Sequence, residues 1–157
     1  MFETIEFKAG KIVGIRTSIF TIFNPEKYDA QAIPAAWKKF FSTATGTSLA
    51  SESILYGASI PSMDMNTPMD YFAGALMKND AEVPEGFESV EIPEGDYLKV
   101  VHTGPITNLA ASYQRAYMEV LGASEKEMRP APHLEIYDSQ LDPMSQDYEM
   151  VIAIPIK

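Results

Sequence analysis

The same pattern runs through this chain twice. T-I-E-F-K-A-G-K-I-V-G-I (4–15) aligns without a gap on S-V-E-I-P-E-G-D-Y-L-K-V (89–100). Thr4 falls on Ser89, Ile5 on Val90, Glu6 on Glu91, Phe7 on Ile92 and Gly10 on Gly95. Each copy reads as strand, glycine turn, strand, which is a hairpin signal. A helix follows each. Ile33, Trp37, Phe40, Phe41 and Ala44 recur at helical spacing, with Pro34 early and Gly46 late. Ile106, Leu109, Ala110, Tyr113, Tyr117, Val120 and Leu121 do the same, between Gly104-Pro105 and a Gly122 expected just past the end. Two strands then close each half: I-L-Y-G-A-S-I (54–60), a loop over 61–68 and D-Y-F-A-G-A-L-M (70–77); then H-L-E-I-Y-D (133–138), a loop through Pro143 and D-Y-E-M-V-I-A-I (147–154).

This fixes an expectation of fold. One half cannot enclose a core, but two can, with single-faced helices on one face of a combined antiparallel sheet. The class is α+β, a pseudo-twofold duplication with a groove where the halves meet. The halves run about 1–78 and 87–157, with an exposed linker at 79–86, in a single domain over 1–157. At 157 residues the chain is long enough to bury such a core.

Composition removes several function classes. There is no cysteine, so disulfides, thiolate nucleophiles and thiolate metal sites are out. No apolar run reaches the roughly 20 residues a membrane span needs, and the acidic start is unlike a signal peptide. A cytoplasmic location is expected. The net charge is −10, with Lys and Arg totalling 12 and scattered singly, which argues against direct nucleic-acid contact. No nucleophile elbow, metal-ligand set or phosphate loop occurs, so no cofactor is expected. His102, in the H-T-G turn before a helix, suits a structural hydrogen bond.

The repeat breaks at one place. Laying Leu55 on Leu134 sets Tyr56 against Glu135, a carboxylate inside an apolar strand. An unpaired buried carboxylate costs several kcal/mol. Glu135 therefore needs a partner (Arg129, His133 or Lys157), a solvated edge, or a ligand. Trp37, Tyr56, Tyr71, Tyr97 and Tyr137 belong to elements around the groove, and aromatic faces beside a carboxylate suit an organic cation. Tyr113 and Tyr117, at helical spacing, read as core.

The ordered set L-Y-G (55–57), D-Y-F-A-G (70–74), I-P-E-G-D-Y-L-K-V-V-H-T-G (92–104), H-L-E-I-Y (133–137) and V-I-A-I-P-I (151–156) resembles the GyrI-like effector-binding domains. These also occur as C-terminal sensors of AraC/Rob-type and BmrR-type transcription regulators. The resemblance covers essentially the whole chain. It implies a duplicated β-α-β-β module with a pocket between the halves. It also implies that Glu135 meets cationic aromatic drugs, and that Tyr71 is a pocket wall. The sensors carry a DNA-binding domain ahead of this module, whereas here residue 3 is already expected in a strand.

Three functions follow as expectations. The leading one is binding of lipophilic, cationic aromatic molecules by Glu135 with Tyr71, Tyr56, Trp37, Tyr137 and Tyr97. A second is hydrolysis of strained electrophiles, as some relatives perform, using Glu135 with Tyr56 or Tyr71 as acid–base groups. A third is a protein-interaction module using the acidic run from Asp80 to Asp96.

Overall fold

A computed structural model of the chain describes residues 3–20, 24–62, 64 and 66–157. Met63 and Met65, within the expected 61–68 loop, lie outside the described residues. In chain order the elements are β1 (Glu3–Phe7), β2 (Gly10–Ile19), α1 (Ala32–Ala44), β3 (Ile54–Ile60), β4 (Met69–Met77), β5 (Glu88–Ile92), β6 (Gly95–Thr103), α2 (Leu109–Arg115), α3 (Leu121–Ser124), β7 (His133–Asp138) and β8 (Glu149–Pro155). The two β-β-α-β-β halves thus appear where the repeat places them. The strands form one antiparallel eight-stranded sheet in the order β1-β6-β8-β7-β3-β4-β2-β5. The β3–β7 ladder is the seam between halves.

The two strand–glycine–strand segments are not hairpins. β1 pairs with β6, and β5 pairs with β2, so each half lends its first strand to the other. A short turn with glycine serves both arrangements, and the local pattern cannot tell them apart. The exchange forces curvature. β1 and β2 stand six places apart in the sheet, about 29 Å if it were flat. Only Lys8 and Ala9 join them, a reach of at most about 11 Å. The sheet therefore curls until its ends approach. Phe7 of edge strand β1 accordingly meets Tyr56 of β3, with ring centroids 6.0 Å apart.

Curling gives the sheet two unlike faces. The inner one is filled by Ile12, Ala58, Phe72, Ile92, Leu134 and Ala153, with Ile5, Phe7 and Val90 from the exchanged strands. The other carries the helices. There α1 packs Ala36, Phe40 and Ala44 on Val13, Ile15, Leu55, Tyr71 and Ala73. Phe41, expected on the same apolar stripe, is 54% exposed.

The second helical run, residues 106–124, covers Leu98, Val100, Met150, Ile152 and Ile154. It is not one regular helix. A 3₁₀ turn (Ile106–Asn108) leads into α2, a π-turn (Ala116–Val120) interrupts it, and α3 ends at Glu125 in the left-handed region, φ 59°. Gly122 therefore lies inside the last turn, not beyond it. His102, 1% exposed, anchors the start of this run: Ser112 Oγ lies 2.7 Å from Nδ1, and the carbonyls of Gly104 and Pro105 lie 3.0 and 3.1 Å from Nε2. No helix among the described residues is long and apolar enough to cross a membrane.

Candidate functional site

The ladders settle which residue mirrors Glu135. Gly14 pairs with Gly74, and Gly74 with Tyr56. In the other half Lys99, the repeat counterpart of Gly14, pairs with Ala153, and Ala153 with Leu134. Tyr56 thus corresponds to Leu134, and Glu135 to Gly57. Matching Leu55 to Leu134 slips the alignment by one residue, and a slip of one reverses every side chain's face. Tyr56 points into the inner cluster, on the opposite side of the sheet from Glu135. The Asp-Tyr pairs that head the two last segments, 70–71 and 147–148, invite the same matching but do not correspond: Asp70 and Tyr71 lie within β4, whereas β8 begins at Glu149, after Asp147 and Tyr148.

Glu135 sits on the helix-bearing face, between Gly57 of β3 and Ile152 of β8 in register. It is 4% exposed. Neither of the suspected cations reaches it. Arg129 lies over the Tyr97 ring at 4.8 Å and donates to the Ile156 and Asp96 carbonyls. Lys157 pairs with Glu127. Three tyrosines partner the carboxylate instead. Tyr71 from β4 donates to Oε1 at 2.9 Å, and Tyr137 from β7 donates to the same oxygen at 2.6 Å. Tyr113 from α2 donates to Oε2. Trp37 from α1 donates its Nε1–H to the Tyr71 hydroxyl at 3.0 Å and sets its ring edge-on to Tyr137, centroids 5.4 Å apart.

The electrostatics follow from burial. Burial, and then the charge of Glu135, push the hydroxyls of Tyr71, Tyr113 and Tyr137 well above 10. They therefore stay protonated and act as donors. Among the described residues no buried side-chain nitrogen or oxygen lacks a hydrogen-bond partner, and no ion pair reaches Glu135. The carboxylate is satisfied as an acceptor, yet phenols bring no positive charge. Coulombic compensation is what this site lacks.

A second ring column borders it. Tyr113 stacks on Tyr117 (6.2 Å, 10°), and Tyr117 on His133 (5.8 Å, 21°), with the Tyr117 hydroxyl hydrogen-bonded to His133 Nδ1. Burial lowers His133 to about 4, so the imidazole is neutral at neutral pH. It supplies no counter-charge.

Of the candidates from sequence, the fold gathers Glu135, Tyr71, Trp37 and Tyr137. It does not bring in Tyr56, nor Tyr97, which is fully buried on the inner face with its hydroxyl on the Pro132 carbonyl at 3.2 Å. Tyr56, on the opposite face of the sheet, does not sit beside Glu135, while Glu135 and Tyr71 are in contact. Sequence reasoning missed Tyr113 and Gly57. The open surface depression lined by Phe7, Lys8, Leu76 and Lys78 lies at the β1–β2 turn, away from this site.

Comparison with known proteins agrees with the fold. Over 92 residues the chain is 30% identical to the transcriptional regulator BrlR of Pseudomonas aeruginosa, a match taking in 58% of this chain and 34% of BrlR. The chain thus spans about a third of that relative's length. The structure of SAV2435 bound to tetraphenylphosphonium superposes with a TM-score of 0.75 at 16% identity, over 100% of this chain and 94% of that one. An integron cassette protein of Vibrio cholerae superposes with a TM-score of 0.64 at 16% identity, over 99% and 95%. At such identities the likeness is one of fold, and that fold is GyrI-like. Residues 5–156 match the model of Cass2, described as an integron-associated effector binding protein, and the chain belongs to that family.

Proposed function

We propose that this chain is a small-molecule sensor domain for lipophilic organic cations, with Glu135 as the charge that recognises them. The observation that supports it is a carboxylate, 4% exposed, surrounded by tyrosines and a tryptophan and, among the described residues, by no cation. A cation entering this space meets an uncompensated negative charge and aromatic faces at once. Tetraphenylphosphonium, the ligand of the similarly folded SAV2435, has this chemistry.

The donor count narrows the class. A carboxylate offers about four acceptor positions; Tyr71, Tyr113 and Tyr137 take three, and with Tyr113 displaced Tyr71 and Tyr137 still hold two. A primary ammonium brings three N–H donors and would leave some unpaired, at about 1–3 kcal/mol each. A quaternary or phosphonium cation has none to satisfy. Entry needs displacement of the cover, and Tyr113 is the member carried by the interrupted helical run.

Titration calorimetry with tetraphenylphosphonium tests this reading. Wild type should bind in about the micromolar range, and Glu135→Gln, which keeps the volume and removes the charge, should bind at least about tenfold more weakly with its melting midpoint near wild type. A primary alkylammonium of similar size should bind about tenfold or more weakly than the phosphonium. Equal affinity in Glu135→Gln would remove the basis of the proposal.

A further inference from the structure

We infer that Gly57 is a positioning residue of the Glu135 site, and that its missing side chain is what lets Tyr71 reach the carboxylate. The inference rests on the cation-binding reading only for its functional consequence. Its geometric content stands apart.

Tyr71 and Glu135 are on β4 and β7, and β3 runs between them. For the Tyr71 hydroxyl to touch Glu135 it must pass over β3, and it passes at Gly57, the register partner of Glu135. A Cβ placed on Gly57 would stand 2.3 Å from the Tyr71 hydroxyl, 2.7 Å from Glu135 Oε1 and 3.0 Å from Tyr71 Cζ. The first two contacts are shorter than real Cβ atoms tolerate, and both are with the atoms of the hydrogen bond itself. Gly57 has an ordinary strand conformation, since it is absent from the positive-φ residues. Its requirement is therefore one of space, not of backbone freedom.

Symmetry gives the reason. Gly57 and Glu135 are counterparts in the two halves and neighbours across the seam. The room beside the axis holds one side chain. Half one yields it, half two fills it with the carboxylate, and Tyr71 from half one then crosses the vacated position. A residue larger than glycine at 57 would push the Tyr71 hydroxyl away from Glu135 and Trp37.

A double-mutant cycle with Gly57→Ala and Tyr71→Phe tests this, because Phe removes the atom nearest the added methyl and the Glu135 carboxylate can shift by a few tenths of an ångström. Trp37, the only tryptophan in the chain, reports Tyr71 through its Nε1 bond. Gly57→Ala should lower the melting midpoint, move the Trp37 emission maximum and weaken tetraphenylphosphonium binding by about tenfold. In the Tyr71→Phe background the same Ala should lower the midpoint less than half as much. The inference is overturned if Ala costs the same in both backgrounds, if it unfolds the chain in both, or if it leaves midpoint and emission unchanged. Midpoint and emission need no ligand, so a wild type that fails to bind phosphonium sinks the binding reading alone. Binding lost in Glu135→Gln but kept in Gly57→Ala, with unchanged emission, sinks this inference alone.

Discussion

The two helical covers of this sheet are built to different standards. α1 is an uninterrupted helix of 13 residues that buries Ala36, Phe40 and Ala44. The run over the other half changes from 3₁₀ to α to π and back within residues 106–124, and α2 buries no residue fully. Both lend a ring to the Glu135 network, Trp37 from one and Tyr113 from the other. The difference assigns them unlike tasks. The α1 half makes a fixed wall in which Trp37 and Tyr71 brace each other. The α2 half makes a cover whose large side chains, Ile106, Leu109, Tyr113, Tyr117, Val120 and Leu121, are only partly buried, and a π-turn often marks a functional segment.

The largest expected effect tests packing. Phe40 is 1% exposed in the α1 core, so Phe40→Ala should cost about 3–5 kcal/mol. Leu109, half-buried at the start of α2, should cost about 1 kcal/mol on truncation, from its smaller transferred area. Urea denaturation measures both. Comparable losses would mean that the two covers are equally tight, and the comparison would break.

The next effect is on pH and concerns the α2 side alone. The neutral His133 ring is hydrogen-bonded through Nδ1 to the Tyr117 hydroxyl, and burial depresses it to about 4 from 6.5. Below pH 6.5 the unfolded chain takes up a proton that the native chain refuses. Stability from this group is therefore full above 6.5 and is lost as pH falls toward 4, by up to about 3 kcal/mol. Melting midpoints from pH 7 to 4 should fall more steeply in wild type than in His133→Asn. Parallel curves would show that His133 on β7 does not stay neutral beneath the folded cover.

These residues also show what the sequence made legible. The repeat located every strand and both helices because periodicity is local. Strand exchange was not legible, since which strand a segment pairs with is decided by burying Ile5, Phe7, Val90 and Ile92 inside a curled sheet. Glu135 stood out as a charge in an apolar strand. Its counterpart is hidden, because side-chain likeness matches Leu55 to Leu134 whereas backbone register sets Gly57 opposite Glu135. Tyr113 was placed in the core by its helical spacing with Tyr117, and it does pack there. Spacing cannot show that a carboxylate lies under its hydroxyl. Gly57 matters through an atom it lacks, so its role is visible only once Tyr71 and Glu135 are in place.

The smallest effect separates wall from cover by sign. Tyr71→Phe and Tyr113→Phe each delete one hydroxyl from Glu135 and keep the ring. Tyr71 also accepts from Trp37, so its loss leaves Trp37 Nε1 unpaired and loosens the wall on which a ligand rests. Phosphonium affinity should fall. On the proposed binding reading Tyr113 leaves Glu135 as a cation approaches, so its bond to the carboxylate opposes binding. Removing that hydroxyl raises the free energy of the closed state by about 1 kcal/mol and spares the liganded one. Tyr113→Phe should therefore bind tetraphenylphosphonium about fivefold more tightly by calorimetry. A fall in both variants would mean that Tyr113 stays with Glu135 when the ligand is bound, and the α2 run would then be wall rather than cover.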